Sequence, residues 1–495
     1  NPDPSILKVT KLNTELNDFK ILGSKIFFEM KEANFRFDNK LEVTHLNTYF
    51  SYTDSLMQAK DLRLQTPQTD LQGTITMLPH NGSFGDFVNK VVFDVHLPKA
   101  IVNTTDLNAF YNGFNGGRNI VLEGVTMKGT LNNFVISQGK ISYQNTLIEG
   151  DLAFQNLLSQ HANIAVIAKN VHAESIYNDL AYLMPEVLGK NIPEELQRLG
   201  MFSLDGDFAY RTTSLQTNVW LKTNDGEAHI DGSLDDLTHT DKTAFRGTLT
   251  TNQFHLGKIL DDPTMGALTA DMTVRGQGLN FKTMQLYANG TVHSVGYNGY
   301  NYQRIGINGE FRNQVFNGKI DAKDPNLTMN FNGLADLSGR NNKFDFQADI
   351  AIADLHALHF MEMDSVSQLC GKVVIDISGN QLDDIVGKIS FKHTNYINSA
   401  GSFTFKDFEV VSTLNNGVKE ITINSPDIVS GNVRGKFKLA ELKKVMQNAV
   451  GSIYAQYNPY KIEKNQYVDF HFDIYNKIVE VFVPKVKIGR NTFIN

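Results

Sequence analysis

The chain has 495 residues, a formal net charge of -7, 41% hydrophobic and 20% charged residues, and one cysteine, Cys370. It is too long for one ordinary core, too weakly charged to have nucleic acid as its main partner, and unable to form an internal disulfide. Glycine is abundant at 38 and proline sparse at 12, a mixture that favours strands joined by tight turns.

In a strand, successive side chains point to opposite faces, and that alternation recurs along the chain. KVVFDVHLP puts Val91, Phe93, Val95 and Leu97 on one face. The sequon Asn103-Thr104-Thr105 is expected by chance in an Asn/Thr-rich chain. Residues 173–200, AESIYNDLAYLMPEVLGKNIPEELQRLG, break the pattern. Ile176, Leu180, Leu183, Val187 and Leu188 suggest a short helix interrupted near Pro185. Pro193 then opens another, with Leu196 and Leu199 facing in and Gly200 ending it.

Alternation resumes in FSLDGDFAY with Phe202, Leu204, Phe208 and Tyr210. NDGEAHIDGSLDD, from Asn224, lacks the acidic spacing of a calcium-binding EF-hand loop. Asp261-Asp262 before Pro263 reads as a turn and cap. GALTADMTVRGQGL sets Leu268, Ala270, Met272 and Val274 against Thr269, Asp271, Thr273 and Arg275. LTMNFNGLADL gives Leu327, Met329 and Phe331, and KFDFQADIAI gives Phe344, Phe346, Ala348 and Ile350. In LHALHFMEMD, the spacing of His356, His359, Glu362 and Asp364 permits metal ligands on a helical turn, but a solvated turn is the simpler reading. Cys370, beside the strand 373–377, reads as inert.

Residues 440–457, AELKKVMQNAVGSIYAQY, carry Leu442, Val445, Met446, Ala449, Val450, Ile453 and Tyr454 at helical spacing, which predicts an amphipathic helix. It has too few lysines to favour membrane contact. YVDFHFDI closes the series with Val468, Phe470, Phe472 and Ile474.

Turn signals punctuate the runs: Asn81-Gly82, Asn224-Asp225-Gly226, Asn289-Gly290, Asn308-Gly309, Asn317-Gly318 and Asn416-Gly417. The prediction is all-β, a long antiparallel meander of about 30 strands with two short helical insertions. It divides into a β segment over 1–172, a helical insertion over 173–200, and β segments over 201–365 and 366–495. A loose repeat over residues 191–211, 254–279 and 354–379 places a leucine-containing turn before an alternating strand and argues for growth along one axis.

A sheet with one apolar face must cover it, because an exposed Phe or Leu forfeits ~1.5–3 kcal/mol. Two helical insertions cannot cover so many strands. The sheet either folds on itself, filled by its own side chains, or curls into an incomplete tube lined by something other than protein. Periodicity alone fits both. Gly232, Gly247, Gly290, Gly309 and Gly435 fall on the apolar phase. They mark bends or close approaches of another body, with a widened lumen as the alternative.

Leu256–Leu260, LGKIL, followed by Gly266–Leu279 with its G-x-L-x-x-D-x-x-V-x-G-x-G-L pattern, resembles the AsmA-like superfamily, and within it the TamB-type translocation and assembly proteins of Bacteroidota. VRGKFKLAELKKVM is similar to the same family. The resemblance implies an elongated β-groove, taco-shaped in section, that conducts phospholipid acyl chains across the periplasm between inner and outer membranes. It implies anchorage in the inner membrane by a segment outside this chain, which begins NPDPSILKV and ends IGRNTFIN without Met or leader. It also implies an alternative role in outer-membrane protein assembly with an Omp85-type barrel partner.

The residues expected to line the groove are Leu268, Met272 and Val274, then Leu327, Met329 and Phe331. Phe344, Phe346 and Ile350 follow, then Phe470, Phe472 and Ile474. The sequence has no HExxH, GxSxG or P-loop, so neither catalysis, cofactor nor resident metal is expected. Two rivals stand beside the conduit: a scaffold that holds client strands on exposed sheet edges, and a carbohydrate-active solenoid. The last needs paired carboxylates in a polar cleft, whereas Asp and Glu here follow the outward phase.

Overall fold

The computed structural model describes residues 9–37, 40–81, 84, 86–109, 113–157, 164–183, 185, 194–280, 283–336, 338, 342–360, 365–381, 383–399, 401–451, 458–475 and 492–494. The protein is all-β, with strands numbered here in chain order. The chain forms two compact units, residues 1–263 and 264–495. The first holds β1 (Val9–Leu22) to β14 (Ala244–His255), the second β15 (Met265–Gln277) to β27 (Thr492–Ile494). Within each unit every strand pairs antiparallel with its neighbours in sequence. Among the described residues, no pairing joins the first strand of a unit to its last, so neither meander closes into a barrel.

Asn416-Gly417 forms the two-residue hairpin expected of it, between β23 (Gly401–Asn415) and β24 (Val418–Ser425), with φ of 52° and 77°. Positive φ at both positions is what a type I′ turn demands. Asn298-Gly299, not singled out in the sequence, does the same between β16 (Gln285–Tyr297) and β17 (Tyr300–Arg312), at 48° and 80°. Three other expected turns are strand interior. Asn289-Gly290 lies in β16, Asn308-Gly309 in β17, and Asn317-Gly318 in β18 (Val315–Asp324). There Asn points outward and Gly continues the apolar phase. Gly82 of the Asn81-Gly82 pair lies outside the described residues.

The strands bend at bulges. Asn170, at φ 49°, interrupts the register of β10 (Ala165–Ile176) between Ala168 and Val171. Gln138, at φ 54°, does so in β8 (Phe134–Tyr143) between Ile136 and Gly139. A bulge frees an amide from the ladder, and here a neighbouring aspartate accepts it. The Asn170 N–H donates to Asp207 at 2.7 Å, and the Gln138 N–H to Asp151 at 3.3 Å. Each bulge adds local twist and curvature.

The first helical insertion begins later than expected. A short helix, α1 (Thr104–Leu107), follows β6 (Val92–Asn103); after β10 ends at Ile176, α2 spans Tyr177–Leu183 and a 3₁₀ turn Glu194–Leu199. Val187, Leu188 and Pro193 lie outside the described residues. Gly200, at φ 67°, ends the turn, and Leu199 is buried. Ile176 pairs directly with Met201 of β11 (Met201–Arg211), so the insertion leaves the ladder whole. Residue 365 falls between paired strands, β20 (Lys343–Asp354) and β21 (Ser367–Ser378), and the two compact units meet in sequence at Pro263.

Asp261 caps α3 (Leu256–Leu260) in the left-handed conformation, as its turn-and-cap reading requires. Arg198 donates to the Ile259 carbonyl at 2.6 Å and to Asp261 at 3.3 Å, tying the 3₁₀ turn to α3. The helix expected over 440–457 is a 3₁₀ turn, Leu439–Glu441, and α4, Leu442–Gly451; residues 452–457 lie outside the described residues. Val445 is buried while Lys443 and Lys444 are exposed.

A single-core domain normally gathers one contiguous apolar cluster. Here the buried residues form separate clusters, each drawn from strands close in the ladder and their loops. The largest surrounds Val91, Phe93, Val95 and Leu97, with Phe84 and Leu131 from loops packed on it.

Candidate functional site

In an antiparallel sheet, residues directly opposite one another share a face. The register therefore shows how the alternating runs line up across strands. Met272 lies opposite Gly290, Gly290 opposite Ile307, Ile307 opposite Ile320, and Ile320 opposite Phe331. The row continues through Ala348, Val373, Phe391 and Phe408. A parallel row starts at Val274 and passes Gly309, Phe346, Ile375 and Ile423 on its way to Phe472, crossing from β15 to β26 (Tyr467–Ile474). At ~4.8 Å per strand, such a row runs about 50 Å across the strands of the second unit.

All twelve residues expected to line a groove fall on this face. Leu268 faces Val295, Met329 faces Ile350, and Leu327 faces Ala353. Phe344 sits between Ala335 and Ile377. Phe470 faces Val433, and Ile474 faces Val429. The first unit carries an equivalent face that the candidate list did not include. Phe28, Phe50, Ala59 and Ile75 lie opposite one another in turn, and the row goes on through Val95, Met127, Ile136 and Leu152 to Phe208. It was legible in the alternation of Val91 to Leu97 and Phe202 to Tyr210, which stand on it.

Much of the face is packed sideways, and loop residues cover it only in places, as Leu358 does over Leu327 and Ile350. Phe331 touches Phe346 with ring centroids 4.8 Å apart, and Phe28 stacks on Phe50 at 4.7 Å. Eleven of the twelve residues are nevertheless only half-buried, and Ile474 alone is buried. The chain as a whole exposes 29230 Å². Two compact proteins of half its mass would together expose about 22,000 Å².

The inward glycines let adjoining backbones come close. At Gly290 a Cβ would stand 2.8 Å from the Met272 Cα, and at Gly333 it would stand 2.5 Å from the Phe346 Cα. These glycines mark close approach of adjoining strands, a use distinct from the bending and the widened lumen that the sequence suggested.

Charge is confined almost entirely to the other face. Asp271 pairs with His293 at 2.8 Å, Lys140 with Glu149 at 3.0 Å, and Lys388 with Glu409. His172 pairs with Asp205 at 2.6 Å, and that hydrogen bond raises the imidazole pKa above its ordinary value against a smaller opposing effect of burial. One exception among the described residues is Lys419, 3% exposed, which stands on the apolar face opposite Gly435. Burial pushes its pKa down, opposed by Asp383 and Asp384. Nothing in the alternation marked it, because a lysine at one apolar-phase position reads as a break in the pattern.

At one margin, buried Asp324 accepts from the Tyr300 hydroxyl at 2.5 Å and from the Gln303 and Asn326 amides at 2.8 Å. Burial and that carboxylate push the Tyr300 pKa up to about 12. These bonds serve the turn between β18 and β19 (Leu327–Asp336).

Of the sequence's four metal candidates, His356 and His359 lie among the described residues. His359 Nδ1 lies 3.1 Å from the Asn298 carbonyl, docking its loop on the β16–β17 turn, and Glu362 and Asp364 lie outside the described residues. Among the described residues no cluster of three or more His, Cys, Asp or Glu side chains suits a metal ion. Cys370 is a half-buried free thiol within β21. Asn103 of the sequon is buried and caps α1 by accepting from the Thr105 amide at 2.9 Å. No helix among the described residues is long and apolar enough to cross a membrane. Compared with known proteins, the chain matches no family model, no curated protein and no solved structure.

Proposed function

We propose that this chain is a segment of a non-enzymatic, bridge-like lipid-transport protein of the TamB type, and that its apolar face carries phospholipid acyl chains between inner and outer membranes across the periplasm. The observation that supports this is the register. Apolar rows run unbroken across many strands, their side chains meet sideways, and most remain half-buried. A sandwich filled by its own side chains would bury them.

Each CH₂ moved from water to an apolar surface gains about 0.8 kcal/mol, so exposing one sixteen-carbon chain to water costs on the order of 12 kcal/mol. A face that repeats every ~4.8 Å offers the chain similar contacts at each strand. It lowers the barrier to movement without creating a deep minimum in which lipid would be trapped. Solvation of this kind is collective, so a single truncation removes little of it, whereas a buried charge interrupts it.

The test is mass spectrometry of phospholipid carried by the purified chain, with Met272→Ala and Met272→Asp compared. Lipid should accompany the native chain and Met272→Ala, and fall several-fold in Met272→Asp. A lipid-free native chain that crosslinks to other proteins along a strand edge would replace transport with the scaffold role, in which an Omp85-type barrel is the partner.

A further inference from the structure

Between Lys436 and Tyr467, the segment joining β25 (Val429–Lys436) to β26, stand five lysines and two glutamates. That is a surplus of three positive charges in a chain whose net charge is -7. The described parts of the segment, on either side of residues 452–457, are tied to one another. Asn448 of α4 exchanges two hydrogen bonds with the Tyr460 backbone, at 2.8 and 2.9 Å. The Glu441 carboxylate accepts from the Glu463 amide at 3.0 Å and from the Gln466 side chain. Residues 460–466 thus return alongside α4, which brings Lys461 and Lys464 beside the helix that carries Lys443 and Lys444. The Leu439 amide donates to Asp383 at 2.7 Å and fixes the start of the segment to the β21–β22 loop, where β22 is Val386–Asn398.

The segment's acids are already engaged. Glu463 pairs with Lys438, and Glu441 is held by the bonds above. Lys443, Lys444, Lys461 and Lys464 are all exposed, and none has an ion pair recorded among the described residues. Tyr460 and Tyr467 stand 50% and 51% exposed beside them.

We infer that this basic, tyrosine-bearing segment is a contact site for a membrane surface rich in anionic headgroups. Charge complementarity selects the anion, since clustered lysines near a surface are drawn to anionic lipid. The exposed tyrosines select a lipid interface over an acidic protein, because an amphipathic ring settles at headgroup depth. The sequence alone counted only the lysines of α4. The return segment places two more beside them, which is why the inference departs from the reading that this helix has too few lysines to favour membrane contact. The inference stands whether or not the apolar face conducts lipid, because it concerns binding to a surface and not transfer.

The experiment is flotation of the full chain with vesicles of phosphatidylcholine alone or with phosphatidylglycerol added. The native chain should float with the anionic vesicles and not the neutral ones, and lose binding as salt rises. Reversing Lys443, Lys444, Lys461 and Lys464 to Glu should weaken anionic-vesicle binding about tenfold or more. The paired change Lys128→Glu and Lys169→Glu, at exposed lysines of the first unit, should leave it intact. Circular dichroism checks that the reversed chain folds, and Lys443→Gln with Lys444→Gln, a milder change, should still lose part of the binding. Failure of the native chain to float with anionic vesicles at low salt would overturn the inference. So would equal binding by the reversed chain, or binding to polyglutamate without binding to vesicles. Lipid carried by the chain without vesicle binding would leave transport standing and remove this contact site.

Discussion

The strands around Phe93 and those around Phe346 carry the same alternating pattern yet fill their apolar face differently. At Phe93, Val91, Val95 and Leu97 are all buried, and Phe84 and Leu131 come in from loops to finish a true core. At Phe346, rings meet sideways along the row, Gly333 lets adjoining backbones close up, and the tops of the side chains stay half-open. Alternation therefore states which face is apolar. Whether protein covers that face depends on the loops: they finish a core over Phe93, and Leu358 comes in over Leu327 and Ile350, but among the described residues no loop side chain joins such a cluster at Phe346.

Alanine substitution should break this comparison most sharply. Phe93→Ala removes a buried ring and should cost about 3–5 kcal/mol, whereas Phe346→Ala, already half-open, should cost about 1–2 kcal/mol. Urea unfolding of the two variants reads the difference, and equal losses would mean that both regions are equally covered. Gly333→Ala tests the backbone side of the contrast. With φ at 148° and a Cβ placed 2.5 Å from the Phe346 Cα, it should destabilise the second unit by about 2 kcal/mol. A neutral result would show that the strands have room to separate there.

The smallest effect is expected on the polar face. His172 has a raised pKa because Asp205 stabilises its charged form. The stability it adds is therefore fully present below the unfolded-state value near 6.5 and is lost as pH rises through the folded-state value. The side chain is 39% exposed, so solvent screening holds this to about 0.5 kcal/mol or less. His172→Gln should flatten that part of the pH dependence of the unfolding midpoint, and NMR titration of the ring should place its pKa above 6.5 in the native chain.

The strand identities and the apolar face were readable from period-two alternation alone, and every groove candidate landed on one side of its sheet. The turns were less readable. Asn-Gly marks a hairpin at Asn416 but strand interior at Asn308, where Ile305, Ile307, Gly309 and Phe311 keep the alternation going through the glycine. Following the phase across the dipeptide would have separated the two cases. The bulges at Gln138 and Asn170 depend on aspartates 13 and 37 residues away, and no local pattern announces such partners. Lys419 owes its place to the register of β24 and to carboxylates on another loop, which are equally non-local. The charge of the β25–β26 segment could be counted in advance, but its convergence beside α4 rests on the Asn448 and Glu441 bonds.

The most direct test of acyl-chain carriage uses a photoreactive phenylalanine analogue placed at Phe331 or Phe346, on the apolar face, and at Asn330 or Gln347, on the polar face of the same strands. After illumination with diacyl phospholipid, lipid adducts should form at Phe331 and Phe346 and be absent at Asn330 and Gln347. Adducts on neither face, or equally on both, would contradict the account.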